Sequence, residues 1–172
     1  MQDYFTLAPY WTISGKRIDG VSQHGDGRLP SDLGRFDRYS LQRLCMRSYV
    51  YGTCGKILQE PSFLSISRDL LHTWFISLST RLHPNASYAQ MRPGKEINND
   101  VGLLEFREII WVLAMVRRSE LNSDTELRDG LCCWVSDFLR SVTENGSLRR
   151  ACSRSNNVGV WVNSLAATLY AF

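Results

Sequence analysis

Eight apolar residues follow one another without a break over 109–116, IIWVLAMV, inside a stretch whose flanks keep helical spacing. A helix that is apolar all round has no face to give to water, so other helices must wrap it. The octet is far below the roughly 20 apolar residues that a membrane-spanning helix needs. The spacing therefore predicts a buried central helix over about 100–118, followed after a short polar bridge by a second helix with one apolar face.

The remaining pattern is helical as well. Ser31 or Asp32 can cap a helix over about 32–51, in which Phe36, Tyr39, Leu41, Leu44, Cys45 and Tyr49 recur at helical spacing until Gly52 and Gly55 stop it. Pro61-Ser62 opens a second run through Leu64, Leu71, Trp74, Phe75 and Leu78 that ends before Pro84. Pro84, Pro93, Gly94 and the pair Asn98-Asn99 make 84–99 a region of turns and loops. S-D-T-E at 123–126 is a capping signature for a helix through Leu127, Leu131, Trp134, Phe138 and Val142, which Asn145-Gly146 breaks. A short basic turn over 147–153 follows, and Asn156-Asn157 caps a last helix through Trp161, Leu165 and Leu169. No segment after residue 30 shows a strand period of useful length, and no internal repeat appears. The fold class expected is all-α, with a central apolar hairpin wrapped by amphipathic helices.

Residues 1–30 read differently. Gly15, Gly20, Gly25, Gly27, Pro9 and Pro30 make an irregular arm, and its opening residues Tyr4, Phe5, Leu7, Tyr10, Trp11 and Ile13 are too aromatic for a solvated tail. Residues 31–172 are expected to form a single domain, since 172 residues at 44% hydrophobic content suffice for one core. The net charge of +3 is spread over mixed-sign segments, which argues against a nucleic-acid partner. Cys45, Cys54, Cys132, Cys133 and Cys152 contain no C-x-x-C, and residues 1–13 lack the basic start and apolar core of a signal peptide; reduced thiols in a cytoplasmic setting are expected. His24, His72 and His83 are scattered, so neither a metal nor another cofactor is expected. No G-x-S-x-G, phosphate loop or H-E-x-x-H occurs, so the expectation is that the protein is not an enzyme.

Three stretches carry a resemblance. Residues 79–90, STRLHPNASYAQ, are similar to S-S-Q-L-H-x-x-P-F-x-A; residues 134–139, WVSDFL, match W-M-T-E-Y-L position by position; residues 64–69, LSISRD, keep the Leu and Asp spacing of L-x-x-x-G-D, with Arg68 for the Gly. In this order, around an apolar central helix, they resemble the Bcl-2 family of apoptosis regulators, and their drift from its motifs resembles viral members. The family's N-W-G-R is represented by Leu104, Glu105, Phe106 and Arg107, keeping only the arginine. Its E-N-G-G-W can be placed at 144–148 or, keeping the tryptophan, at 157–161.

The resemblance implies an anti-apoptotic protein that holds BH3 helices of pro-apoptotic partners in an apolar groove, with Arg107 facing the ligand's aspartate. The implied lining is Trp74, Phe75, Leu78, Tyr88, Met91, Leu103, Phe106, Ile110 and Trp111. The protein would be cytoplasmic, associated with host mitochondria without a membrane span, and compatible with a homodimer. Taken singly, an aromatic at helical spacing is more often core than groove, Arg107 beside Glu108 equally suits a solvated charge pair, and adjacent Cys132 and Cys133 suit packing. Two readings compete: a helical structural or assembly protein, matrix-like and oligomeric, without affinity for BH3 helices, and a metabolic or nucleolytic enzyme with a non-obvious site, which predicts a bound metal or small molecule.

Overall fold

Gly52 and Gly55, expected to end the first helix, lie inside it. The computed structural model describes residues 2–9, 11–13, 22–24, 36–92, 94 and 100–172, and within it α1 spans Asp37–Leu58. Both glycines are places of close approach. A Cβ on Gly52 would collide with the Met115 side chain, and one on Gly55 would come within 2.9 Å of the Leu64 backbone nitrogen. The missing side chains let two neighbouring helices press against α1, which outweighs the propensity cost of glycine in a helix.

Contacts along the helices fix their directions. Between α1 and α3 (Ile109–Arg118), Gly52 meets Met115 and the Lys56 ammonium reaches the Arg118 carbonyl, so residue numbers rise together and the helices run parallel. Between α3 and α6 (Asn157–Ala171), Arg107 meets Trp161 and Arg117 donates to the Ala171 carbonyl, again in parallel. These three helices form the inner of two layers. The returning helices form the outer layer: α2 (Pro61–Leu71), extended by a π-helical turn over His72–Ile76, runs antiparallel to α1, and Arg68 meets Asp124 while Ile76 packs on Gly130 of α4 (Thr125–Glu144). The short α5 (Ser147–Cys152) joins α4 to α6.

Apolar side chains fill the space between the layers. Trp134 of α4 stacks on Phe138 at 5.2 Å, meets Phe75 edge-on at 4.8 Å, and donates its indole N–H to the Leu82 carbonyl at 2.9 Å, which satisfies the polar atom of a buried ring. The caps legible in the sequence are present: Asp124 accepts from the Leu127 amide at 3.0 Å and Asn156 from the Val158 amide at 3.0 Å.

Two expectations need correction. The apolar octet is not a centre wrapped on all sides as in a Bcl-2-like bundle. The described fold is mostly helical, but α3 is the middle member of a parallel layer: Val112, Leu113, Met115 and Val116 are buried against its neighbours, while Trp111 is 50% exposed on the free face. Strand structure also occurs after residue 30. β4 (Tyr88–Met91) pairs in parallel with β1 (Phe5–Leu7), and the backbones of β2 (Trp11–Ile13) and β3 (Ser22–His24) pair antiparallel. Four residues are too few to display a period, and β4 exists because β1 supplies its hydrogen bonds.

What holds β1 in place is a buried carboxylate. Glu105 ends a 3-10 turn over Val101–Phe106; its Oε2 accepts from Tyr4 Oη at 3.0 Å and from Thr6 Oγ1 at 2.6 Å, and Arg38 Nε of α1 lies 3.6 Å from its Oε1. Thr6 Oγ1 in turn accepts from the Gln90 amide of β4 at 2.7 Å. Tyr4 packs on Phe106 with ring centroids 4.8 Å apart. Nearby, Asp100 pairs with Arg154 at 2.7 Å and so ties the start of the 3-10 turn to the chain entering α6.

Gly52→Val will lower stability by about 1–3 kcal/mol, the usual cost of forcing extra methyl groups into a packed contact. Urea unfolding checks this: the midpoint falls while the slope is unchanged, and an unchanged midpoint would show that α1 and α3 do not pack through Gly52. Burial pushes the Glu105 carboxyl above the ordinary range, although Thr6, Arg38, Tyr4 and Gln90 pull it back. The folded protein then binds that proton more tightly than the unfolded chain, so this group's contribution to stability falls as pH rises from the ordinary glutamate pKa through the raised one. Glu105→Gln removes the titration. Melting temperature against pH should lose that descending component in the variant; parallel profiles for the two proteins would refute the assignment.

Candidate functional site

Because α1, α3 and α6 run parallel, their N-terminal ends lie at the same end of the layer and turn the positive ends of their macrodipoles the same way. The Glu105 network and the Asp100–Arg154 pair hold that end together. Out of it, two residues beyond Glu105, comes Arg107.

Arg107 and Glu108 keep right-handed helical backbone angles, so the 3-10 turn passes into α3 and Arg107 stands one turn before Trp111 on the same side. The Arg107 side chain is 27% exposed. Its Nε sits 3.1 Å from Glu108 Oε1, and its guanidinium carbon lies 6.0 Å from the centre of the Trp161 ring, at the outer range of a cation–π contact. Among the described residues its two Nη groups have no further partner, so the paired donors that fit a carboxylate are left open.

On the α1 side of Glu108 and Trp111 lies a groove of about 540 Å³, lined also by Gln42, Cys45, Met46 and Tyr49. Its walls are largely apolar and aromatic. Cys45 is no nucleophile at neutral pH: burial, then the charge of Glu108, pushes its thiol up to about 12. A guanidinium fork beside flat exposed rings suits a ligand that carries carboxylates on a compact ring with apolar C–H faces.

The residues expected to line a helix-binding groove do not converge. Phe75, Leu103 and Phe106 are buried in the core between the layers, and Trp74 and Ile110 are packed against it. Leu78 is 74% exposed in the turn after α2; Tyr88 is exposed on β4, and Met91 is half-buried at its end. Arg107 and Trp111 stand together on the free face of the inner layer. Glu108, Gln42, Tyr49 and the contact of Trp161 with Arg107 were not singled out, because that face assembles from helices far apart in the chain. His72 faces Glu126 at 3.4 Å and His83 faces Asp3 at 2.8 Å. Among the described residues no cluster of His, Cys, Asp and Glu could hold a metal ion, and no helix is long and apolar enough to cross a membrane.

A family model described as alginate lyase matches residues 1–172. In structure, the chain is similar to an alginate lyase from Bacteroides ovatus solved at 1.60 Å, with a TM-score of 0.85 and 20% sequence identity over 98% of this chain. The chain spans 46% of that protein's length, less than half of it. No curated protein matches the sequence.

These findings overturn the reading as a Bcl-2 family member, viral or otherwise, and with it the anti-apoptotic function and the BH3 helices as partners. They equally give no support to a matrix-like assembly protein, and the expectation of a protein that is not an enzyme fails against a family named for an enzymatic activity. The three motifs have other causes. WVSDFL shows the buried stripe Trp134, Val135, Phe138 of an amphipathic helix, and in LSISRD Arg68 is engaged with Asp124 and Glu126 across the outer layer. Residues 79–90 pass from an exposed turn into β4, where the Gln90 amide is taken by Thr6. The chain belongs to the alginate lyase family.

Proposed function

We propose that the protein takes part in the eliminative cleavage of alginate, a 4-linked polyuronate. The observation that carries this reading is the match of the alginate lyase family to residues 1–172. The open guanidinium of Arg107 and the exposed rings beside it agree with an acidic sugar.

Elimination from a 4-linked uronate removes the proton from C5, next to the carboxylate, breaks the C4–O4 bond and leaves a C4=C5 double bond; the departing O4 takes up a proton. The costly step is placing negative charge on a carbon beside a group that is already anionic. A guanidinium bound to the carboxylate offsets that charge as it develops, and it is most effective where water is partly excluded. Arg107, half-buried and oriented by Glu108 and Trp161, is suited to this part.

Incubating the purified protein with alginate and following ultraviolet absorbance tests the reading, because the new double bond, conjugated with the carboxylate, absorbs where the substrate does not. The expected result is rising absorbance with shortening of the polymer, and none with a neutral polysaccharide. Polymer shortening without absorbance would indicate hydrolysis and overturn the elimination; no change in the polymer would overturn the activity.

A further inference from the structure

We propose that Arg107 and Trp111 form a uronate-reading platform across the start of α3, in which the Arg107 fork binds one carboxylate of an acidic polysaccharide and Trp111 stacks on the neighbouring sugar ring. The proposal deepens the alginate reading and rests on it for the identity of the sugar.

Four observations converge. Arg107 Nε lies 3.1 Å from Glu108 Oε1, so the ion pair engages one edge of the guanidinium and leaves its Nη groups without a partner among the described residues. Trp161 of α6 lies under the same guanidinium at 6.0 Å and supports it from the neighbouring helix. Trp111, one turn further along α3, is 50% exposed, and no ring contact engages it among the described residues. Beyond Trp111 the groove toward α1 continues with Tyr49, Met46 and Gln42, giving more apolar wall and an amide.

The half-exposed indole of Trp111 offers a flat apolar face on a structured helix, on which the apolar face of a ring can stack. The charge beside it says what fits. An apolar helix would strand the Arg107 fork, whereas a polyuronate offers an apolar ring face and a carboxylate on each unit. The division of labour follows: Arg107 reads charge, Trp111 reads the ring, and Trp161 is a positioning residue that acts through Arg107. Inner-layer helices lie about 8–10 Å apart, so a polymer crossing from α6 over α3 toward α1 meets these groups in sequence.

Affinity electrophoresis through gels containing alginate, with carboxyl-reduced alginate as the neutral polymer of the same backbone, tests the platform on the protein as it stands. Arg107→Gln should weaken retardation by alginate roughly tenfold or more and flatten its dependence on salt. Trp111→Ala should weaken retardation while keeping the salt dependence. Trp161→Ala should resemble the Arg107 variant in milder form, with Trp161→Phe restoring binding, and Arg140→Gln, an equal loss of charge on the outer layer, should bind as the parent does. Melting temperatures confirm that each variant is folded. Unchanged binding by folded Arg107→Gln or Trp111→Ala would overturn the platform, as would an equal loss in Arg140→Gln. If the parent cleaves alginate while Arg107→Gln keeps its affinity and KM, the platform fails and the lyase reading stands. If the parent binds alginate through these residues without eliminating it, the platform stands and the lyase reading fails. No retardation of the parent overturns the platform outright.

Discussion

A carboxylate taken out of water is tolerated only where donors replace the lost hydration, and Glu105 gathers them from two distant parts of the chain. Tyr4 and Thr6 come from about a hundred residues away, and Arg38 comes from α1. Each donor brings its element along: the tyrosine and threonine fix β1, β1 pairs with β4, and the arginine fixes the start of α1 beside the start of α3. Removing the charge's partners would leave a buried ion unpaired, which is far costlier than losing a surface pair. The end of the inner layer that carries Arg107 is therefore organised by an acid that the solvent scarcely reaches.

From that end the rest of the arrangement follows. Parallel helices cannot be joined by short turns, so each inner helix needs a return, and the returns stack behind as a second layer. Burial between the layers consumes one side of every helix, and side-by-side packing in the inner layer consumes two more sides of α3. One stripe is left over. On α3 it runs through Arg107, Trp111 and Ala114, and the neighbouring helices add Tyr49, Met46 and Trp161. Arg107 and Trp111 thus lie on the face that layer packing cannot use, which is why the candidate site and the fold share one origin.

The helices were legible because their apolar residues repeat at the period of a turn, and the caps at Asp124 and Asn156 because a cap needs only local chemistry. Gly52 and Gly55 were misread because a glycine that admits a neighbouring helix looks, in one dimension, like a glycine that ends its own. β4 was illegible since its partner lies some eighty residues earlier, in an arm rich in glycine. The resemblance to an apoptosis regulator drew on stripes such as Trp134, Val135 and Phe138, which any helix buried on one side against a core will show. Arg107 was singled out as a carboxylate partner, but a guanidinium fork does not encode whether that carboxylate sits on a peptide or on a sugar. The aromatics that bear on that distinction, Trp161 above all, reach Arg107 only once α6 is folded beside α3.

Glu108 beside Arg107 looks at first like a waste of charge, since its own charge offsets the attraction for an anion. For a polymer the reasoning changes. A polyuronate repeats its carboxylate at every unit, so modest attraction at each of several contacts sums to firm retention, while a strongly cationic site would hold a cleaved fragment as tightly as the intact chain. Glu108 pairs with Nε and leaves the Nη edge open, exchanging raw charge for a single two-pronged contact. On the proposed reading, orientation of one guanidinium matters more than accumulation of many, which agrees with a net charge of only +3 on a chain that would meet a polyanion.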